Sequence, residues 1–195
     1  MEACSFATYL ENKFHLQTVQ IDNVLKQCKA VFFKKGTLIH LGVGLRESLF
    51  IESGLLRYYS VDTKGKEHTL QFAPEAWFIT DRLSKCEEYK SDFFLQALED
   101  TQAQNFNADF LLEVAQENPE IIHLNQQLLN NHIRQLQDRI NQLLCYSAEE
   151  RYLEFVKDYP DILLRVPQIM VASYLGITPE SLSRVRKDLA QRQQY

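Results

Sequence analysis

Five of the six glycines fall between Gly36 and Gly65, and after them none occurs until Gly176. Glycine supplies the tight and left-handed turns that join short strands, and inside a helix it costs about 1 kcal/mol, so a glycine-punctuated stretch suits a sheet and a glycine-free one suits helices. The residues around the early glycines agree. "AVFFKKGTLIHLG", "ESLFIESGLLRYYSVD" and "KEHTLQFAPEAWF" are short β-branched and aromatic runs, the texture of a compact antiparallel sheet or barrel. Lys64 and Gly65 lie between two such runs and predict a hairpin turn, and "DFFLQALEDTQAQNF" predicts two more strands. Ahead of them Phe6, Leu10, Phe14, Val19, Val24 and Leu25 keep helix-like spacing.

Asn118 followed by Pro119 predicts a helix start, because Asn accepts from the first free amides and Pro fills a position whose N–H would be unpaired anyway. The helix that follows carries Ile122, Leu129, Ile133, Leu136, Ile140 and Leu143, and from Leu129 onward their spacing alternates between four and three. That is the period of a coiled-coil seam. A helix packed on its own domain has the same spacing, but the length of the run and its Asn, Gln, Arg and Asp flanks favour a seam between two copies. Ser147 and Glu150 then stand at capping-box spacing and open a further helix that must stop before Pro160. The chain is therefore expected to be α+β in three parts: an antiparallel β-roll over 1–117, a dimerisation helix over 118–146, and a small all-α domain over 147–195.

Within the last part Pro167 opens a helix, Gly176 supplies the left-handed turn that ends it, and Thr178 with Pro179 caps and starts the next. Ala172 precedes the glycine by four residues, and Leu182 and Val185 follow it. A small residue lets two helices cross closely and the later aliphatics fix the second against the first, which is the pattern of a helix-turn-helix. The face turned outward would carry Pro179, Glu180, Ser181 and Arg184, with Arg186 and Lys187 further round; Gln168 and Thr178 complete the expected DNA contacts. Ser and Arg can hydrogen-bond base edges or phosphates, and Glu can accept from cytosine. The plain alternative is a solvated helix face.

Charge sharpens this. The net charge is −5, an unhelpful sign for a nucleic-acid binder, yet residues 1–146 hold 14 Lys+Arg against 19 Asp+Glu while residues 147–195 hold 7 against 7. The acidity lies upstream, and Arg184, Arg186, Lys187 and Arg192 make the last helix locally basic. With 45% hydrophobic and 11% aromatic residues the composition is that of a packed globular chain. No window reaches the roughly 18 apolar residues of a membrane span, and the first residues lack the basic start and apolar run of a signal peptide, so a cytoplasmic location without membrane contact is expected. Cys4, Cys28, Cys86 and Cys145 are far apart, with no metal or redox spacing.

Taken together, these segments resemble the Crp/Fnr transcription regulators, in particular the short divergent members common in Bacteroidetes. "KKGTLIHLGVGLRESLFIESGLLRYYSVDTKGKEHTLQFAPEAWF" is similar to the cyclic-nucleotide-binding-type, jelly-roll or cupin-like β-roll, 118–146 to the dimerisation helix, and "VASYLGITPESLSRVRK" to the helix-turn-helix. The resemblance implies a homodimer on a palindromic operator in double-stranded DNA, with RNA polymerase among its candidate partners and an unknown small-molecule effector inside the roll near Phe50, Leu56, Tyr58, Phe72 and Trp77. There are departures. The family's Arg-Glu-x-x-x-Arg arrangement has Pro179 in place of the first Arg, which puts the usual operator in doubt, and a wing after the recognition helix is expected to be missing. Nucleotide-binding members carry a Gly-Glu pair and then an Arg followed by a hydroxyl residue; here Ile79 and Thr80 occupy the pair, and Lys90-Ser91 lie among Asp81, Glu87, Glu88 and Asp92, which would repel a phosphate. Loss of cyclic-nucleotide binding is the expectation. Cys4 and Cys28 cannot supply the four thiolates of an iron–sulfur centre, and a lone histidine is ordinarily not a haem ligand, so no cofactor is expected.

Two other classes compete. A metal-dependent enzyme on a cupin-like barrel needs several His with a carboxylate on neighbouring strands, whereas His40 and His68 are the only barrel candidates; no enzymatic activity is expected. An interaction module that had lost DNA binding would have no reason to keep Ser181, Arg184, Arg186 and Lys187 on one side.

Overall fold

The computed structural model describes residues 5–40, 48–80, 93–107 and 119–192. The chain forms two compact units, one of residues 1–60 with 71–130 and the other of residues 61–70 with 131–195.

The first unit begins with two short helices, α1 (Phe6–Phe14) and α2 (Thr18–Lys26). Ser5 caps α1, its hydroxyl accepting from the Thr8 N–H at 3.2 Å. Eight strands follow: β1 (Lys29–Phe33), β2 (Leu38–Ile39), β3 (Ser48–Ser53), β4 (Leu56–Val61), β5 (Glu67–Ala73), β6 (Phe78–Thr80), β7 (Phe93–Ala97) and β8 (Thr101–Phe106). They pair as two four-stranded sheets, ordered β1-β8-β3-β6 and β2-β7-β4-β5. This is the roll the sequence predicts. Its interior is packed by Leu49, Ile51, Leu56, Ala73, Ile79, Leu95, Ala97 and Ala103, with Tyr58 and Trp77 partly buried against them. Gly54 turns β3 into β4 with φ +95°, and a Cβ there would lie 2.5 Å from the Asp100 carbonyl oxygen, so only glycine permits that approach. On the other side of β3, Phe50 packs with Phe6, Leu10, Val24 and Phe106 beneath the two N-terminal helices.

β3 is buried along four consecutive residues, Ser48 to Ile51, as expected of a strand covered on both faces. The β4–β5 turn is closed by the Asp62 carboxylate, which accepts from the backbone N–H groups of Lys64 (2.8 Å) and Lys66 (3.0 Å), with Gly65 at φ +79°.

The second unit contains α3 (Pro119–Cys145) from residue 131 onward, then α4 (Ala148–Asp158), α5 (Ile162–Arg165), α6 (Gln168–Leu175) and α7 (Pro179–Arg192). Asn118 lies outside the described residues. The capping box forms as the sequence predicts: the Glu150 N–H donates to the Ser147 hydroxyl at 3.2 Å, and the Ser147 N–H donates to the Glu150 carboxylate at 2.7 Å. The Phe155 ring lies 5.2 Å from Tyr159 and 5.3 Å from Tyr174, and Val171, Ala172, Leu175 and Leu182 are buried in the same unit. The part of α3 that joins this unit touches its helices: Arg139 stacks on Tyr174 at 4.1 Å and Leu143 lies against Gly176. The hairpin tip 61–70 also joins this unit, held by hydrogen bonds to Ser173.

Candidate nucleic-acid interface

Three residues separate α6 from α7. Gly176 adopts φ +67° as the left-handed cap of α6, its N–H reaching the Ala172 and Ser173 carbonyls. Thr178 then caps α7, its hydroxyl oxygen accepting the Ser181 N–H at 3.2 Å. Ala172 is 1% exposed and Leu182 fully buried, the burial that the pattern requires of both. Val185 is half-buried on the same side.

Leu182 fixes which face of α7 points away. Counting by helical period, Glu180, Ser183, Arg184 and Lys187 share the opposite face, and all four are exposed. Pro179 and Arg186 are exposed at its margins, as are Thr178 and Gln168, the first residue of α6. Ser181 is placed differently from the sequence expectation. It is half-buried and its hydroxyl lies 3.2 Å from that of Thr178, which makes it part of the cap. Ser183 takes the outward position that the sequence reading gave to Ser181; the i, i+3, i+4, i+7 relation of residues 180, 183, 184 and 187 is the signal that would have found it.

The Glu180 carboxyl is held below its ordinary range by its own backbone N–H, by the Thr178 hydroxyl and by the Arg184 charge one turn on. At neutral pH it is an acceptor only. The outward face thus offers a fixed acceptor beside a hydroxyl, a guanidinium and an ammonium, a set able to read base edges and hold phosphates. Arg192 is turned elsewhere, its guanidinium paired with Glu149 of α4 at 2.6 Å.

On α3, Leu129, Ile133, Leu136, Ile140 and Leu143 are each between 43% and 57% exposed, an apolar stripe uncovered within one chain. The Ile122 side chain lies outside the described residues. In heptad terms Ile133 and Ile140 are a positions and Leu129, Leu136 and Leu143 are d positions.

The five residues proposed around an effector do not form one group. Leu56, Tyr58 and Trp77 share the roll interior. Phe50 belongs to the cluster under α1 and α2. Phe72 is fully buried but alternates along β5 with Ala73, whose side chain faces the interior, and so points away from it. Where nucleotide-binding relatives carry Gly-Glu, Ile79 pairs with Leu49 and fills the interior, and the Thr80 hydroxyl lies 3.2 Å from that of Ser48. Lys90, Ser91 and the acids of 81–92 lie outside the described residues, as do Cys4 and Cys86. Among the described residues no group of three metal-ligating side chains comes together.

The described parts of the chain are a double-sheet β-roll, a long helix with an exposed apolar stripe, and a helix-turn-helix with a polar outer face. No family model matches the chain. It is 27% identical over 181 residues to the regulatory protein HlyX of Actinobacillus pleuropneumoniae, covering 87% of this chain and 74% of that protein. It is 25% identical over 178 residues to the fumarate and nitrate reduction regulatory protein of Escherichia coli (strain K12), covering 85% and 70%. Its fold is shared by a transcriptional regulator of the Crp/Fnr family from Eubacterium rectale, with a TM-score of 0.64 at 21% identity over 94% of this chain and 87% of that one. In sequence and in fold the chain is thus similar to transcription regulators of the Crp/Fnr family.

Proposed function

We propose that this regulator binds a palindromic operator as a parallel homodimer, with α7 of each copy in a major groove. The observation that carries the reading is the separation of α7 into two faces: Leu182 is wholly buried while Glu180, Ser183, Arg184 and Lys187 are all exposed on the other side. A structural helix has no need of that acceptor, hydroxyl and double cation in one row. The α3 stripe supports the two-fold, since Ile at a with Leu at d favours two parallel strands and two copies of one seam give the symmetry a palindrome demands.

On this reading the chain is not an enzyme. It works in the cytoplasm, with RNA polymerase as a further partner and no resident cofactor. Among the described residues no helix is long and apolar enough to cross a membrane. A small-molecule effector would enter the roll beside Leu56, Tyr58 and Trp77, and cyclic nucleotides would not be bound, because Ile79 and Thr80 are committed to strand pairing.

Selection of an operator from random DNA, followed by binding of parent and Arg184→Ala protein to matched and single-substituted sites, tests the reading. Loss of a bidentate base contact costs roughly 1–3 kcal/mol and relaxes specificity at one position in each half-site. An Arg184→Ala protein as tight and selective as its parent would refute the assignment of α7.

A further inference from the structure

On α3, Leu144 is 79% exposed, the most exposed large hydrophobic side chain of that helix among the described residues. It lies one residue beyond Leu143 of the stripe and therefore occupies an e position, flanking the seam. Arg139, one residue before Ile140, occupies a g position on the opposite flank. A guanidinium at g ordinarily reaches a carboxylate on the partner helix. Here Arg139 is turned back onto its own chain, over the Tyr174 ring at 4.1 Å, and its Nη1 is buried with no hydrogen-bond partner.

Burial pushes the Arg139 guanidinium down from its ordinary range, and Arg151 opposes its charge as well. Leu143 lies beside this contact, against Gly176 of the helix-turn-helix turn. The helix-turn-helix is thus anchored on the g flank of α3, by a cation–ring contact and one leucine. The e flank carries Leu144, bare.

In a parallel two-stranded coil the g position of one heptad faces the e position of the next heptad on the partner helix. Position 144 of the second copy is then brought to position 139 of the first. We propose that Leu144 of a second copy packs across the subunit boundary onto the Arg139 stem where it covers the buried Tyr174 ring. The anchor of each helix-turn-helix is completed only by the other chain. The chemistry fits: an arginine offers an apolar stem once its charged end is engaged elsewhere, and no carboxylate at e competes for that end. Dimerisation then does more than bring two reading heads together; it stiffens the attachment of each.

The inference rests on the parallel dimer proposed above, and the test separates the two. Unlabelled chains carrying Leu144→benzoylphenylalanine are mixed with heavy-isotope-labelled parent chains, irradiated and mapped by mass spectrometry, with sedimentation of both proteins in parallel. The expected product joins position 144 of a light chain to a heavy peptide containing Arg139 or Tyr174. Cross-links confined to single chains in a protein that sediments as a dimer would overturn the inference and leave the dimer standing. A monomeric parent would remove both. Independently, Leu144→Ser should remain dimeric while α6 amides exchange about fivefold faster, with Leu144→Met restoring the parent rate. Unchanged α6 exchange in a dimeric Leu144→Ser protein would also overturn it.

Discussion

The hydroxyl of Ser173 accepts a hydrogen bond from the Thr69 backbone N–H at 2.9 Å and donates one to the Glu67 carbonyl oxygen at 3.1 Å. Among the described residues β5 is the last strand of its sheet, so these two backbone groups lie on that sheet's edge. A single helix-borne hydroxyl on α6 does the work of a neighbouring strand for them. Ser173→Ala should cost about 1 kcal/mol and speed exchange of the Thr69 amide about fivefold. Native-state hydrogen exchange, read at that amide, checks it.

Placing Asp at both Ile133 and Ile140 should give folded monomers. Both side chains are about half exposed within one chain, so the fold does not need them, but four carboxylates facing each other across a seam repel. Sedimentation equilibrium decides, and a double variant that stays dimeric removes α3 from the interface.

Lys187 and Ser183 should part company in a salt series. Lys187→Ala is expected to weaken binding to every sequence alike and flatten the salt dependence by about one unit per contact. Ser183→Ala should leave that slope unchanged and alter preference at one operator position.

The hairpin turn carries a pH signature. The Asp62 carboxyl is lowered to about 2 by its hydrogen bond to His68 and by the N–H groups of Lys66 and Lys64. A depressed carboxylate contributes stability that is complete above its unfolded pKa, near 3.9, and is lost as pH falls through the folded value. The Lys64 and Lys66 amide shifts should therefore show a step with a midpoint near 2, and Asp62→Asn should abolish that step.

Gly176→Ala should destabilise the second unit by about 1–2 kcal/mol, chiefly through the left-handed backbone. The new Cβ would stand 3.2 Å from the Leu143 Cδ2, a contact that a flexible leucine end relieves by a small shift. Gly176→Asn should cost less, since Asn tolerates that conformation. Thermal unfolding ranks the three proteins.

Much of the architecture is legible locally. The short β-branched and aromatic runs mark strands even where the glycines have stopped, as in β5 to β8 beyond Gly65, and Gly176, Thr178 and the Ser147–Glu150 box act within a few residues of themselves. What periodicity misses is long-range. Thr69 and Ser173 are separated by 104 residues, and nothing in either neighbourhood foretells their meeting. The side of β3 on which Phe50 lies is equally hidden, because a strand buried on both faces shows no alternation. The outward placing of Ser183 follows from helical period once the Thr178 cap has engaged Ser181.

The second unit does not begin where the helix-turn-helix begins. It draws on Arg139 and Leu143 from the long helix and on the ten-residue hairpin 61–70. A graft that exchanged only 147–195 for the reading head of another regulator would leave those footings cut for the wrong tenant. Donor sequences for a working chimera must carry a hydroxyl at position 173 to meet the Thr69 N–H and the Glu67 carbonyl, and must suit Arg139 and Leu143 as well.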